Sequence, residues 1–77
     1  MTDEIYPLNR IRPGESAVIV SLTGGDGIRR RLLDLGFSNG TKVFCVLSQR
    51  RNERAAYLLR GTVIALRKED AAGILVR

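Results

Sequence analysis

Apolar residues recur along this chain at more than one interval. Over residues 17–22 they are nearly continuous and rich in Val and Ile, the pattern of a strand covered on both faces. Over residues 28–35 the spacing is helical. Ile28, Leu32 and Leu35 fall at i, i+4 and i+7, with Arg29, Arg30 and Asp34 pointing elsewhere, which predicts a short helix with one buried face. From Lys42 the period drops to two. Val43, Cys45 and Leu47 alternate with Phe44 and Val46, so one set faces the core and the other is at least partly covered.

Turn residues punctuate these runs. Arg12-Pro13-Gly14-Glu15 carries Pro at i+1 and Gly at i+2, a type II turn that leads into the first strand. Asp26 is the expected N-cap of the helix, its carboxylate accepting from free backbone N–H groups. Gly36 is the expected stop, because a residue without Cβ turns left-handed at low cost, and Phe37 then packs back on Leu32. In Ser38-Asn39-Gly40-Thr41, Gly40 supplies the positive φ of a turn into the strand from Lys42.

The polar run 49–54 predicts a hairpin tip and 56–60 the return strand, broken at Gly61-Thr62 by a bulge or tight bend of the kind that small barrels use at corners. Residues 62–66 form the next strand, 67–73 a single helical turn closed by Gly73, and 74–76 a last short strand. The expected fold is mainly β: a small five-stranded barrel, closed or half-closed, with one short helix after the first strand and a short helical turn before the last.

Size and composition narrow the picture further. Seventy-seven residues make a single domain, 1–77, near the lower limit at which a core sustains itself. The lone Cys45 excludes an internal disulfide and points to a reducing, cytoplasmic setting. The acidic start Met1-Thr2-Asp3-Glu4 lacks the order of a signal peptide, and no apolar run is long enough to cross a bilayer.

Without histidine, Ser-His-Asp or Cys-His catalysis has no base, and metal sites built on His are excluded. Cys45, inside a strand pattern, reads as an inert core thiol. The close acidic pairs Asp3-Glu4 and Glu69-Asp70 lack the further oxygens that a hard cation needs. Gly24-Gly25-Asp26-Gly27 precedes a helix as a phosphate loop does, but it lacks the Gly-Lys-Ser/Thr ending, and Asp26 repels phosphate. No enzyme, cofactor or metal site is predicted.

What remains is charge. The formal net charge is +5, and residues 29–60 hold eight basic side chains against two acids. Arg29, Arg30, Lys42, Arg50, Arg51 and Arg54 are the candidate partner-binding residues within that segment, for an acidic protein face, a nucleic acid or an anionic leaflet. Arg31, at i+3 from Ile28, borders the buried stripe. Two Phe and two Tyr, not spaced as a stacking platform, argue against a specific nucleic-acid partner.

Leu8, Pro13-Gly14, the block Arg31-Leu32-Leu33-Asp34-Leu35-Gly36-Phe37 with Gly40, and the block Gly61-Thr62-Val63-Ile64-Ala65-Leu66-Arg67 with Ala71 and residues 74–76 together resemble the FeoA family of ferrous-iron-transport accessory proteins. Asn39 departs from the proline usual there, which makes that turn less rigid. The resemblance implies an SH3-like barrel in which Leu32, Leu35, Gly36, Gly40 and Gly61 are structural. It also implies a non-catalytic role without cofactor, by contact with the cytoplasmic part of the FeoB transporter and reaching the membrane only through it. Two alternatives stand beside it: a free-standing relative of the SH3-like domain of iron-dependent repressors, and a basic nucleic-acid-binding barrel using Arg50, Arg51 and Arg54. Homo-oligomerisation is left open, since no residue pattern specifies a dimer.

Overall fold

The computed structural model describes residues 4–51 and 53–77. Residues 1–3, the acidic start of the chain, and Asn52 of the expected hairpin tip lie outside the described residues. In chain order the elements are β1 (Tyr6–Pro7), a 3-10 turn (Leu8–Arg10), β2 (Ser16–Leu22), α1 (Asp26–Leu35), β3 (Lys42–Gln49), β4 (Arg54–Leu59), β5 (Thr62–Arg67), α2 (Lys68–Ala71) and β6 (Ile74–Val76). All strand pairs are antiparallel, in the order β1-β6-β2-β3-β4-β5.

The fold is therefore mainly β, as expected, with the five predicted strands present and a two-residue β1 added at one edge. Pro7 suits that edge, where a missing N–H donor costs no ladder bond. β1 and β5 end the sheet without pairing to each other among the described residues, so the barrel is not closed. Its interior is one cluster that includes Leu8, Ile19, Leu32, Phe37, Tyr57 and Ile74.

Local chemistry explains the joints. Glu15 N donates to Arg12 O at 2.9 Å, with Gly14 at φ 92°, as the type II turn requires. At the end of α1, Gly36 takes φ 108°, Phe37 N donates to Leu32 O at 3.0 Å, and Gly36 N donates to Leu33 O at 3.0 Å. This is the Schellman pattern, and it carries Phe37 into the core beside Leu32. Thr41 N donates to Ser38 O at 3.1 Å across Asn39-Gly40.

Four expectations change. Asp26 is not the N-cap: that position is Gly25, no side chain caps the helix, and Asp26 is its first residue, with Oδ1 3.8 Å from Arg29 Nη1. Leu35 is 40% exposed while Leu32 is 2% exposed and Ile28 packs half-buried against the core, because the C-terminal end of the apolar stripe runs past the core. Leu47 leaves the core face, since β3 carries a register shift after Cys45 and the extra residue Val46 reverses the alternation. Arg60 and Gly61 both have positive φ, 50° and 78°, so the break at Gly61-Thr62 is a two-residue hairpin turn between β4 and β5.

Candidate functional site

The six basic candidates are dispersed over three places. Arg29 and Arg30 lie on the exposed side of α1 around a shallow depression shared with Asp26, Leu33 and Asp34. Arg29 already has a carboxylate neighbour in Asp26. Arg50 and Arg51 follow β3 in the turn, and Arg54 opens β4. Lys42 opens β3. With about 3.3 Å per strand residue it stands roughly 25 Å along the hairpin from Arg50. All six are exposed. Among the described residues none except Arg29 has an ion pair.

Arg54 has companions that the charge count did not single out. Together with Arg31 and Arg67 it lines a groove of about 420 Å³ between α1 and the β4–β5 end of the sheet, alongside Ile28, Leu32 and Leu35. The groove is not purely cationic, because Glu69 and Asp70 also line it and Arg67 Nη1 lies 3.6 Å from Glu69 Oε1. A signal for Arg31 was present in the sequence: at i+3 from Ile28 it borders the buried stripe. Arg67 carried no such signal, because its place depends on how β5 pairs with β4.

The larger omission is apolar. Phe44, Val46, Leu47, Leu58 and Val63 are 37–58% exposed. The register sets Phe44 opposite Leu58 and Leu58 opposite Val63, with Leu47, Ala56 and Ala65 forming the next row. These residues make one continuous apolar surface across β3, β4 and β5. Periodicity marked Phe44 and Val46 as partly covered, and their exposure is a tertiary result.

Cys45 and Tyr57 are titrating groups of the interior. Cys45 is fully buried, its thiol 3.6 Å from Leu47 O. Burial, and secondarily the Glu15 carboxylate, push its pKa up, away from a reactive thiolate. Tyr57, opposite Cys45 on β4, is also fully buried, and its hydroxyl has no hydrogen-bond partner among the described residues. Among the described residues no three His, Cys, Asp or Glu side chains converge as a metal site. No helix among them is long and apolar enough to cross a membrane.

The model for the FeoA domain matches residues 6–77. An Fe(2+) transport protein A/Fe(2+) transporter FeoB fusion protein of Porphyromonas gingivalis is 33% identical over 69 residues, a match spanning 90% of this chain and 8% of that much longer relative. Among solved structures, the FeoA of Stenotrophomonas maltophilia, described as a prokaryotic SH3 domain protein and solved as its zinc complex, is 31% identical, with a TM-score of 0.81 over 92% of this chain and 88% of that one. A manganese-dependent transcriptional repressor has a TM-score of 0.89 over 99% of this chain and 42% of its own length. At 16% identity that likeness concerns the fold alone. With the family model covering all but the first five residues, and an SH3-like sheet built on the Leu32–Gly36 and Gly61–Arg67 blocks, the chain belongs to the FeoA family.

Proposed function

We propose that this protein is a non-catalytic accessory of ferrous iron uptake that acts by contact with the cytoplasmic part of a FeoB-type transporter. The observation that carries this reading is the Porphyromonas gingivalis relative, in which a matching segment is joined to the transporter in one polypeptide. A covalent link holds two domains at high effective concentration and is useful where they work in contact. The basic residues Arg29, Arg30, Lys42, Arg50, Arg51 and Arg54, exposed and, Arg29 apart, without ion-pair partners among the described residues, are the contacts for acidic side chains of that partner.

The test is an NMR titration of the isotope-labelled chain with the purified cytoplasmic region of the transporter at physiological salt. Localised shifts on residues 28–42 and 50–54, weakened when Arg29 and Arg30 are both changed to Glu, are the expected result. Unchanged binding in that double variant removes the helix from the contact. No shifts with this region or with full-length transporter in detergent overturns the reading and favours the regulatory module. For that module the likeness to the repressor domain supplies only a fold.

A further inference from the structure

We propose that the free edge of β5 takes up an extended segment of a partner as a further strand, laid antiparallel beside α1 with an acidic side chain next to Arg67. This inference rests on the contact role proposed above and adds the place of contact and the conformation of the segment.

Of the two sheet edges, β1 is two residues long and carries Pro7, while β5 runs for six residues without proline. Its register with β4 is continuous, from Leu59 opposite Thr62 to Arg54 opposite Arg67. Short length, proline and bulges blunt an edge against pairing, and β5 has none of them. The turn sets which backbone groups point outward. Leu59 and Thr62 flank the two-residue turn Arg60-Gly61, so they form the first hydrogen-bonded pair of the hairpin, and such pairs alternate with non-hydrogen-bonded ones from there. Thr62, Ile64 and Leu66 therefore bond to β4. Lys68 N donates to Glu53 O at 2.7 Å, which keeps the same parity beyond the strand. Val63 and Ala65 turn both N–H and C=O away from β4, and Arg67 turns its N–H. Among the described residues no backbone bond outside the ladder reaches Val63 or Ala65, and both are exposed.

Two observations choose what pairs there. Leu66, on the inner side of β5, lines a groove of about 420 Å³ together with Ile28, Leu32 and Leu35 of α1. A strand added about 4.8 Å from β5 sends alternate side chains to this side, where they meet an apolar wall, and the others to the outer side beside Val63, Ala65 and Arg67. The second observation is electrostatic. Arg54 stands directly opposite Arg67, a like-charge pair that costs stability. Arg31 lines the same groove, as do Glu69 and Asp70. Glu69 lies 3.6 Å from Arg67, while among the described residues Arg31 and Arg54 have no ion pair. A carboxylate on the outer side of the added strand, opposite Arg67, comes beside the two guanidinium groups and relieves their repulsion. A second copy does not supply it. The only charge on β5 is Arg67, an antiparallel pairing of two β5 edges carries the following acids to the opposite end, and it brings α1 with Arg31 towards its own equal. A helix spends its backbone groups internally and has none along its length for Val63 and Ala65.

The probe is the synthetic, end-blocked peptide Thr-Glu-Val-Thr-Ile-Val-Thr. In the antiparallel register its Glu falls opposite Arg67, and its first Val and its Ile fall opposite Leu66 and Ile64. One counterpart carries Lys for Glu. A second is N-methylated at Glu, the central Thr and the second Val, whose amides face β5; a third is N-methylated at the first Val and Ile, whose amides face away. The labelled chain is titrated with each, and with the transporter's cytoplasmic region in a separate series. The acidic peptide is expected to shift the amides of Val63, Ala65 and Arg67 and to slow their hydrogen exchange, which in the free chain is fast beside that of Ile64 and Leu66. Methylation of the outward amides is expected to leave binding unchanged, and methylation of the facing amides to weaken it at least about tenfold. The lysine peptide is expected to bind about three- to tenfold more weakly.

Ala65→Pro removes an N–H that serves no ladder bond, so it is expected to abolish peptide binding while the spectrum away from β5 is kept. Arg54→Glu leaves the edge intact and is expected to weaken the acidic peptide about three- to tenfold, an effect that shrinks as salt is added. Equal binding of the two methylated peptides overturns the proposal, as does equal binding of the glutamate and lysine peptides. So do shifts confined to α1 or to Phe44 and Leu58, or no shift at the highest soluble peptide concentration. Protection of Val63 and Ala65 that rises with protein concentration in the absence of peptide overturns it as well, and assigns the edge to a second copy.

The two readings fail separately. Peptide binding without transporter binding keeps the strand addition and removes the transporter as the source of the segment. Transporter binding that survives Ala65→Pro but not the Arg29 and Arg30 reversal keeps the accessory role and overturns the edge as the place of contact.

Discussion

Gly36 sits at φ 108° at the end of α1, and a Cβ placed there would meet Leu59 Cδ1 at 3.5 Å, an ordinary contact. The cost of a side chain at this position is therefore conformational. Gly36→Val is expected to lose at least about 1 to 2 kcal/mol, because a β-branched residue resists the left-handed region. Chemical denaturation reads this directly, and an unchanged midpoint would remove Gly36 as the helix stop. Tyr57 works the other way. Its hydroxyl is buried without a partner among the described residues and its pKa is pushed up to about 12, by burial first and the Cys45 thiol second. The neutral phenol is favoured in the folded state, so the folded chain keeps its proton at a pH where the unfolded chain has lost it. The contribution of Tyr57 to stability is full below pH about 10, the ordinary tyrosine value, and is lost as pH rises towards 12, by roughly 2 to 3 kcal/mol in total. Tyr57→Phe is expected to flatten that alkaline loss and to be at least as stable as the parent at neutral pH, since it removes a buried polar group that nothing satisfies. Thermal melts between neutral pH and pH 11 measure both effects.

Among the elements, α1 shows how far periodicity reaches. Its apolar stripe was legible as Ile28, Leu32 and Leu35, and its glycine stop as Gly36-Phe37, because these are local patterns of about one or two turns. Which part of the stripe the core accepts was not local. Leu32 is nearly inaccessible while Leu35 is 40% exposed. Leu32→Ala is therefore expected to cost about 2 to 5 kcal/mol, and Leu33→Ala, at a position 49% exposed, within about 0.5 kcal/mol; equal losses would contradict the burial described for α1. β3 makes a similar point. Its alternation predicted Val43 and Cys45 in the core, and both are fully buried. The same alternation put Leu47 there, which fails because the bulge after Cys45 shifts the register by one residue and so reverses the face of everything beyond it. A bulge leaves no fixed signature in the sequence of one strand, since it is defined against the partner.

Across the whole molecule, charge behaves as a distribution rather than a segment. The basic excess of residues 29–60 reads as one stretch along the chain, but the fold divides it among α1, the first residue of β3, the β3–β4 turn with the first residue of β4, and Arg60 in the β4–β5 turn. Association with an acidic partner is accordingly expected to be electrostatically steered, with an on-rate that falls as ionic strength rises while the off-rate changes less. Stopped-flow kinetics over a salt series separate the two, and a salt-independent on-rate would show that the basic residues do not guide encounter.

The sequence by itself determined the class of fold, the five principal strands, the helix with its glycine stop, the turns at Gly14 and Gly40, and the FeoA resemblance that the family match bears out. Each of these depends on spacing within about ten residues or on motifs in fixed order. Only the tertiary structure decided that the sheet stays open between β1 and β5, that Arg31, Arg54 and Arg67 share a groove, and that Phe44, Leu58 and Val63 form an exposed row. Those features join residues far apart in the chain through strand pairing, and the register that pairs them is set by the whole core closing at once.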